Sequence, residues 1–200
     1  MKSSNGIVDF WDWVKRNEKR LVEFSLTPAE HADVAGELHS RLHQIDRGLV
    51  CDVGIGEEGK QMLVISAGGE GRLFPLVMRV VAAVPQLEHF TVVAFRPRHE
   101  GHAAFVLDGF RFATDELMAR VKRSELGGVE IEAFIQDFDP EEPKYEPLVG
   151  LLIMHALGEY DAVTKVKRVT LRAWPQVHES EGLVPWVRLH TTVEGLVGSN

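Results

Sequence analysis

Arg96-Pro97-Arg98-His99-Glu100 closes a near-continuous apolar run, Phe90 to Phe95, so a buried strand is expected to deliver two guanidiniums and an imidazole to its own mouth. Two arginines two positions apart share a face where a strand continues, and a paired guanidinium fork grips carboxylates and phosphates. Pro97 between them favours a strand end, and the competing structural reading pairs both arginines with acids at a sheet rim. A second group, Glu159-Tyr160-Asp161, stands where a long apolar stretch stops, with His155 one helical turn ahead of Glu159. At that spacing imidazole and carboxylate can meet and serve as an acid/base pair. The structural reading of the same residues is a helix end whose open amides and carbonyls take polar partners. Arg96, Arg98, His99, His155, Glu159, Tyr160 and Asp161 are therefore the candidate ligand-binding positions.

Other patterns carry less chemistry. His39 and His43 lie one turn apart but have no third ligand marked nearby, so no metal is expected. Gly68-Gly69-Glu70-Gly71 lacks the Lys-Ser/Thr of a phosphate loop and the spacing of a dinucleotide fingerprint, and reads as a strand-to-helix connection. The single cysteine, Cys51, faces the apolar side of its strand and is expected to be inert. No serine elbow, paired-cysteine set or HExxH is present. No cofactor is expected.

Elements that would position these residues follow from periodicity. Ile7, Phe10, Trp11, Val14, Leu21 and Val22 gather on one side of a helix from Val8 to Phe24, with its tryptophans read as core anchors. Thr27-Pro28-Ala29-Glu30 is a capping box that opens a second helix, ended by Arg47-Gly48. Period two then predicts strands at Leu49–Ile55 and Gln61–Ala67. A helix over Leu73–Val84, apolar nearly all round, is expected between the sheet and another layer, and strand Phe90–Phe95 follows. Asp108-Gly109 marks a hairpin between Ala103–Leu107 and Phe110–Ala113. Asp115–Ser124 fits helix or strand, whereas Val129–Phe138 alternates cleanly. An acidic loop, Asp139–Glu146, leads to a helix over Pro147–Gly158. The strand Lys165–Trp174 should turn Val166, Val169, Leu171 and Ala173 inward.

Strand, strand, helix, strand thus occurs twice, at Leu49–Pro97 and Leu117–Pro175. The expected fold is a single α+β domain over 1–200: a helical pair in 1–47, one unit in 48–100, a second in 101–175 and a weakly patterned tail in 176–200. Its mostly antiparallel sheet would hold roughly six to eight strands, with the crossover helices on one face.

At 200 residues, 44% hydrophobic and 26% charged, the chain is long enough for a sizeable core. A net charge of −8 argues against nucleic acid as a partner, since such binding rests on clustered Lys and Arg. The start MKSSNGIVDF has no signal-peptide core, no apolar run reaches the roughly 18 residues of a membrane span, and one cysteine makes no internal disulfide; a cytoplasmic protein is expected.

Asp9-Phe10-Trp11-Asp12-Trp13 with Asn17-Glu18, Val64-Ile65-Ser66-Ala67-Gly68 before Leu73-Phe74-Pro75, Ala94-Phe95-Arg96-Pro97-Arg98, and Leu157-Gly158-Glu159-Tyr160-Asp161 resemble the recurring blocks of a family of bacterial proteins of no established activity. The resemblance spans most of the chain, implies a bacterial cytoplasmic α+β protein and carries over no catalytic residue. Three readings of function stand: a binding or regulatory module for a protein or small anionic ligand, which is preferred; a hydrolase or transferase using His155, Glu159 and Asp161 with Arg96 and Arg98 as anion clamp; and a structural subunit that forms a homodimer through an exposed sheet edge.

Overall fold

Alternation in the sequence fixes where strands form, and the computed structural model, which describes residues 2–27, 31–56, 60–174 and 181–198, shows how they pair. Among those residues seven α-helices and nine strands make an α+β fold with mostly antiparallel sheets. The strands are distributed over three sheets, where one was expected, and the chain divides into two compact units, 1–96 and 97–200.

In the first unit the expected opening helix is broken in two, α1 (Lys2–Arg16) and α2 (Glu18–Leu26). Asn17 makes the break: its backbone leaves the helical region at φ −110°, ψ 15°, and its side-chain amide donates to the Trp13 carbonyl at 2.9 Å. An asparagine offers the backbone this alternative partner wherever it sits in a helix. The apolar stripe crosses the break unharmed, with Phe10, Val14 and Leu21 buried. Trp11 is a core anchor whose indole N–H donates to the Val80 carbonyl at 2.8 Å. Helix α3 (Ala32–His43) begins after His31, which makes no side-chain cap. The capping box rests on residues 28–30, which lie outside the described residues; the Thr27 hydroxyl donates back to Glu23 at the end of α2.

Strand β1 (Val50–Ile55) pairs antiparallel with β2 (Gln61–Ser66), and a crossover through α4 (Phe74–Ala82) returns the chain as β3 (Phe90–Ala94), parallel to β2. The central β2 buries successive residues Leu63, Val64 and Ile65, so both of its faces are covered. Helix α4 buries Phe74, Val77 and Val80 but leaves Met78 56% exposed, so one of its sides meets solvent and the expectation of a second covering layer is corrected.

The second unit opens with the hairpin β4 (Ala104–Leu107) and β5 (Phe110–Ala113). Its turn residues Asp108 and Gly109 both have positive φ, 48° and 78°, the requirement of the tight turn their sequence signalled. The ambiguous stretch is a strand, β6 (Leu117–Arg123), antiparallel to β7 (Val129–Ile135). A crossover through α5 (Tyr145–Leu157) and α6 (Glu159–Lys165) leads to β8 (Val166–Ala173), parallel to β7, and the tail adds β9 (Val184–Pro185) beside β6 and α7 (Leu189–Val197). Strand order is β8-β7-β6-β9.

One face of this sheet is apolar: Leu117, Ala119, Ile131 and Ile135 form a single buried cluster with Leu148 and Leu152 of α5, Trp186, and Leu189 of α7. The other face is charged. Glu132 accepts from Arg120 at 3.2 Å and Arg172 at 3.1 Å, with the Lys122 ammonium at 3.8 Å. The inward set expected for β8 is only partly buried: a bulge beside Val129 resets its register, and as the sheet's terminal strand it leaves Val169 40% exposed. Each crossover helix serves its own sheet, so the expected shared face does not arise. Among the described residues no helix is long and apolar enough to cross a membrane.

Candidate functional site

The two arginines of the strand mouth have different fates. Arg96 belongs to the first unit, where its Nε donates to the Asp52 carboxylate at 2.7 Å, the rim pairing that the structural reading anticipated. Arg98 belongs to the second unit and donates from Nη1 to Nδ1 of His190 at 2.8 Å. Its other terminal nitrogen lies 3.6 Å from Glu100, a surface ion pair too long for a hydrogen bond and worth little. The expected fork of Arg96 and Arg98 is corrected toward the rim-pairing reading: each arginine has an acid within ion-pair distance, Asp52 for Arg96 and Glu100 for Arg98.

Around Arg98 the second unit has a cavity of about 280 Å³, bordered also by His99, His155, His190 and Thr114. Helix α5 supplies His155 from its last turn, and the loop after Pro97 supplies His99, whose backbone N–H donates to the His155 carbonyl at 2.8 Å. That bond sets the rings face to face, 5.2 Å between centroids and 29° apart in plane. Burial, then the neighbouring His99, hold the His155 imidazole below its ordinary proton affinity. Thr114 is buried in the short turn between β5 and β6, and its hydroxyl accepts from the Ala103 N–H at 3.1 Å.

The tautomer of His190 can be read from its partners. A guanidinium only donates, so Nδ1 of His190 must accept from Arg98, and the ring proton sits on Nε2, 3.1 Å from the Glu194 carboxylate one turn along α7. By contrast, the ring nitrogens of His99 and His155 carry no hydrogen bond among the described residues.

The expected pairing of His155 with Glu159 fails for a local reason. Gly158, at φ 79° and ψ 154°, ends α5 before Glu159, which opens α6, so the one-turn relation is interrupted. Glu159 is fully buried, Tyr160 is exposed, and Asp161 binds Lys165 at 2.9 Å within α6. Arg98, His99 and His155 are thus brought together; Arg96, Glu159, Tyr160 and Asp161 do not line this cavity. His190 and Thr114 escaped the sequence reading. The spacing of His190 and Glu194 was the available signal, in a tail whose apolar pattern is weak.

Elsewhere, His39 donates from Nδ1 to the Ala35 carbonyl at 2.9 Å, and no cluster of three metal-binding side chains occurs among the described residues. Cys51 is buried, and burial followed by the charge of Asp52 pushes its thiol far above the ordinary range, away from reactivity. Comparison with protein-family models, curated proteins and solved structures gives no match, so the functional argument rests on this geometry.

Proposed function

We propose that the second unit is a binding module for a small anionic ligand seated among Arg98, His99 and His155, with His190 holding Arg98 in place. The observation that carries this reading is the convergence on a single cavity of the Arg98 guanidinium and the imidazoles of His99 and His155, whose ring nitrogens are unbonded among the described residues, with one carboxylate, Glu100, on the same lining. Arg98 keeps its Nε without a hydrogen bond among the described residues, and a protonated imidazole adds charged donors that strengthen hydrogen bonds to an oxyanion. A volume of about 280 Å³ suits a phosphate, sulfate or short carboxylate rather than a nucleotide. The inert, buried Cys51 asks for no oxidising compartment, and the reading is of a cytoplasmic protein. The hydrolase or transferase alternative has less support, because Glu159 and Arg96 lie off this cavity and Asp161 is ion-paired with Lys165.

Calorimetric titration with sulfate, whose charge is constant between pH 6 and pH 8, tests the reading. Saturable binding is expected, tighter at pH 6 than at pH 8, because an anion favours the protonated form of His155, which burial and the neighbouring His99 disfavour in its absence. Arg98→Glu should abolish the titration while shifting stability by no more than roughly 0.5 kcal/mol, as a rim substitution. If Arg98→Glu lowers the melting temperature and leaves an anion titration untouched, the cluster is structural and the reading fails.

A further inference from the structure

Among the described residues strand β8 ends the four-stranded sheet, and one hydrogen bond orients its outer edge: the Trp174 N–H donates to the Ile135 carbonyl at 2.9 Å. Backbone groups of successive strand residues alternate in direction. Thr170 and Arg172 therefore bond toward β7, whereas Val169, Leu171 and Ala173 direct N–H and C=O outward, where no described strand pairs with them. Beside this edge runs a cleft of about 830 Å³, with Phe138, Ile153, Val169 and Leu171 as apolar walls and Glu142 and Glu146 as polar ones. The acids are uncompensated: among the described residues Asp139, Glu141, Glu142 and Glu146 have no ion-pair partner. Lys144, the one base in this loop, instead holds its ammonium 5.9 Å from the centre of the Phe110 ring.

We propose that β8 and this cleft bind an extended segment of a partner protein, added to the sheet as a further strand. The segment would alternate apolar residues, seated over Val169 and Leu171, with small polar ones, and carry a lysine or arginine at the Ala173 end. That end is where the acids lie, because Ala173 is aligned with Ile135 and the acidic loop leaves β7 there. Main-chain bonds supply affinity in this mode and alternate side chains supply specificity. A second copy of the chain is the poorer occupant. Pairing β8 with β8 would set Arg168 and Arg172 of both strands on the same outer face, and like charges across a strand pair repel.

The test uses the full chain and a fluorescein-labelled peptide, Lys-Ser-Val-Ser-Val-Ser-Val-Ser-Lys, beside a version with both lysines replaced by glutamate. Saturable polarisation is expected for the lysine peptide, with the glutamate peptide weaker by about tenfold or more. Joint Glu142→Lys and Glu146→Lys substitution, both at the cleft wall, should reverse that preference, which a general loss of fold cannot do. Ala173→Pro removes an outward N–H without touching the β7 ladder and should weaken the lysine peptide by about tenfold. Amide shifts in the labelled protein should centre on Val169 to Ala173. The proposal is overturned by equal binding of the two peptides, by no saturation up to about 1 mM, or by shifts centred elsewhere. A dimer in sedimentation that Ala173→Pro dissociates would overturn it too, since a second copy would then hold the edge.

Discussion

The two units share one plan and use it differently. In each, a hairpin is followed by a crossover helix and a strand parallel to the hairpin's second member, giving the orders β1-β2-β3 and β8-β7-β6. In each, a buried tryptophan donates its indole N–H to a carbonyl of the crossover helix, Trp11 to Val80 and Trp186 to Leu152. The polar groups differ. The first unit ties Arg96 to Asp52 and lets Glu18 accept the His89 N–H at 2.6 Å. The second leaves the imidazoles of His99 and His155 beside a cavity, and a strand edge that no described strand pairs with. A frame repeated in one chain does not repeat its chemistry; what distinguishes the units is which polar groups the fold leaves unspent.

Two substitutions have the largest expected effect on this comparison. Trp11→Ala and Trp186→Ala should each cost about 3–5 kcal/mol through cavity formation and the lost indole hydrogen bond, read by chemical denaturation. The parallel between the tryptophans breaks if Trp186→Ala leaves amide exchange in β6 to β8 unchanged.

A smaller effect separates the ion pairs. Burial pushes the Glu132 carboxyl up, but hydrogen bonds from Arg120 and Arg172 and the charges of Lys122 and Arg172 outweigh it and hold the group below its ordinary value. The folded state therefore binds this proton less readily than the unfolded chain. Its stabilisation is present above the ordinary carboxyl value of 4.5 and is lost as pH falls below it. Glu132→Gln should cost about 1–2 kcal/mol at pH 7 and little at pH 3. Asp52→Asn, at the more exposed pair, should cost no more than about 1 kcal/mol. Equal costs in urea melts would erase the distinction.

The smallest effect is at His155. Its imidazole is held below the ordinary value of 6.5, so the unfolded chain takes up that proton first and stability declines as pH falls below that value. His155→Gln should flatten this decline. Melts at pH 5 and pH 7.5 that shift in parallel for the wild type and the variant would remove the electrostatic account of the stacked pair.

Where a rule of periodicity or turn chemistry governs, the sequence was legible. The strands around Leu63 and Ile131, the Asp108-Gly109 hairpin and the long apolar α5 follow from alternation, positive φ and an unbroken apolar run. Periodicity names a strand but not its neighbour, and so three sheets could not be told from one. The break at Asn17 was hidden because the apolar stripe continues through it. Gly158 was visible as a helix end, but its positive-φ backbone, which separates His155 from Glu159, was not. Arg98, His99 and His155 were named from their types and positions and line one cavity; His190 was missed because nothing in the sequence brings the tail to Arg98 or marks the two as partners.

Phe95 bears a conflict that matters for how the chain can diverge. Its φ of 67° is a left-handed conformation costly for a bulky residue, while its ring packs 4.5 Å from that of Phe74 and its N–H still reaches Ile65 at 2.8 Å. Glycine would suit the backbone and empty the core; valine or isoleucine would half fill the core and strain the backbone further. Drift at this position is hemmed in from both sides by packing alone. An aromatic retained at position 95 in distant relatives would therefore record the geometry of a strand end, and would be a poor guide to any ligand beside it.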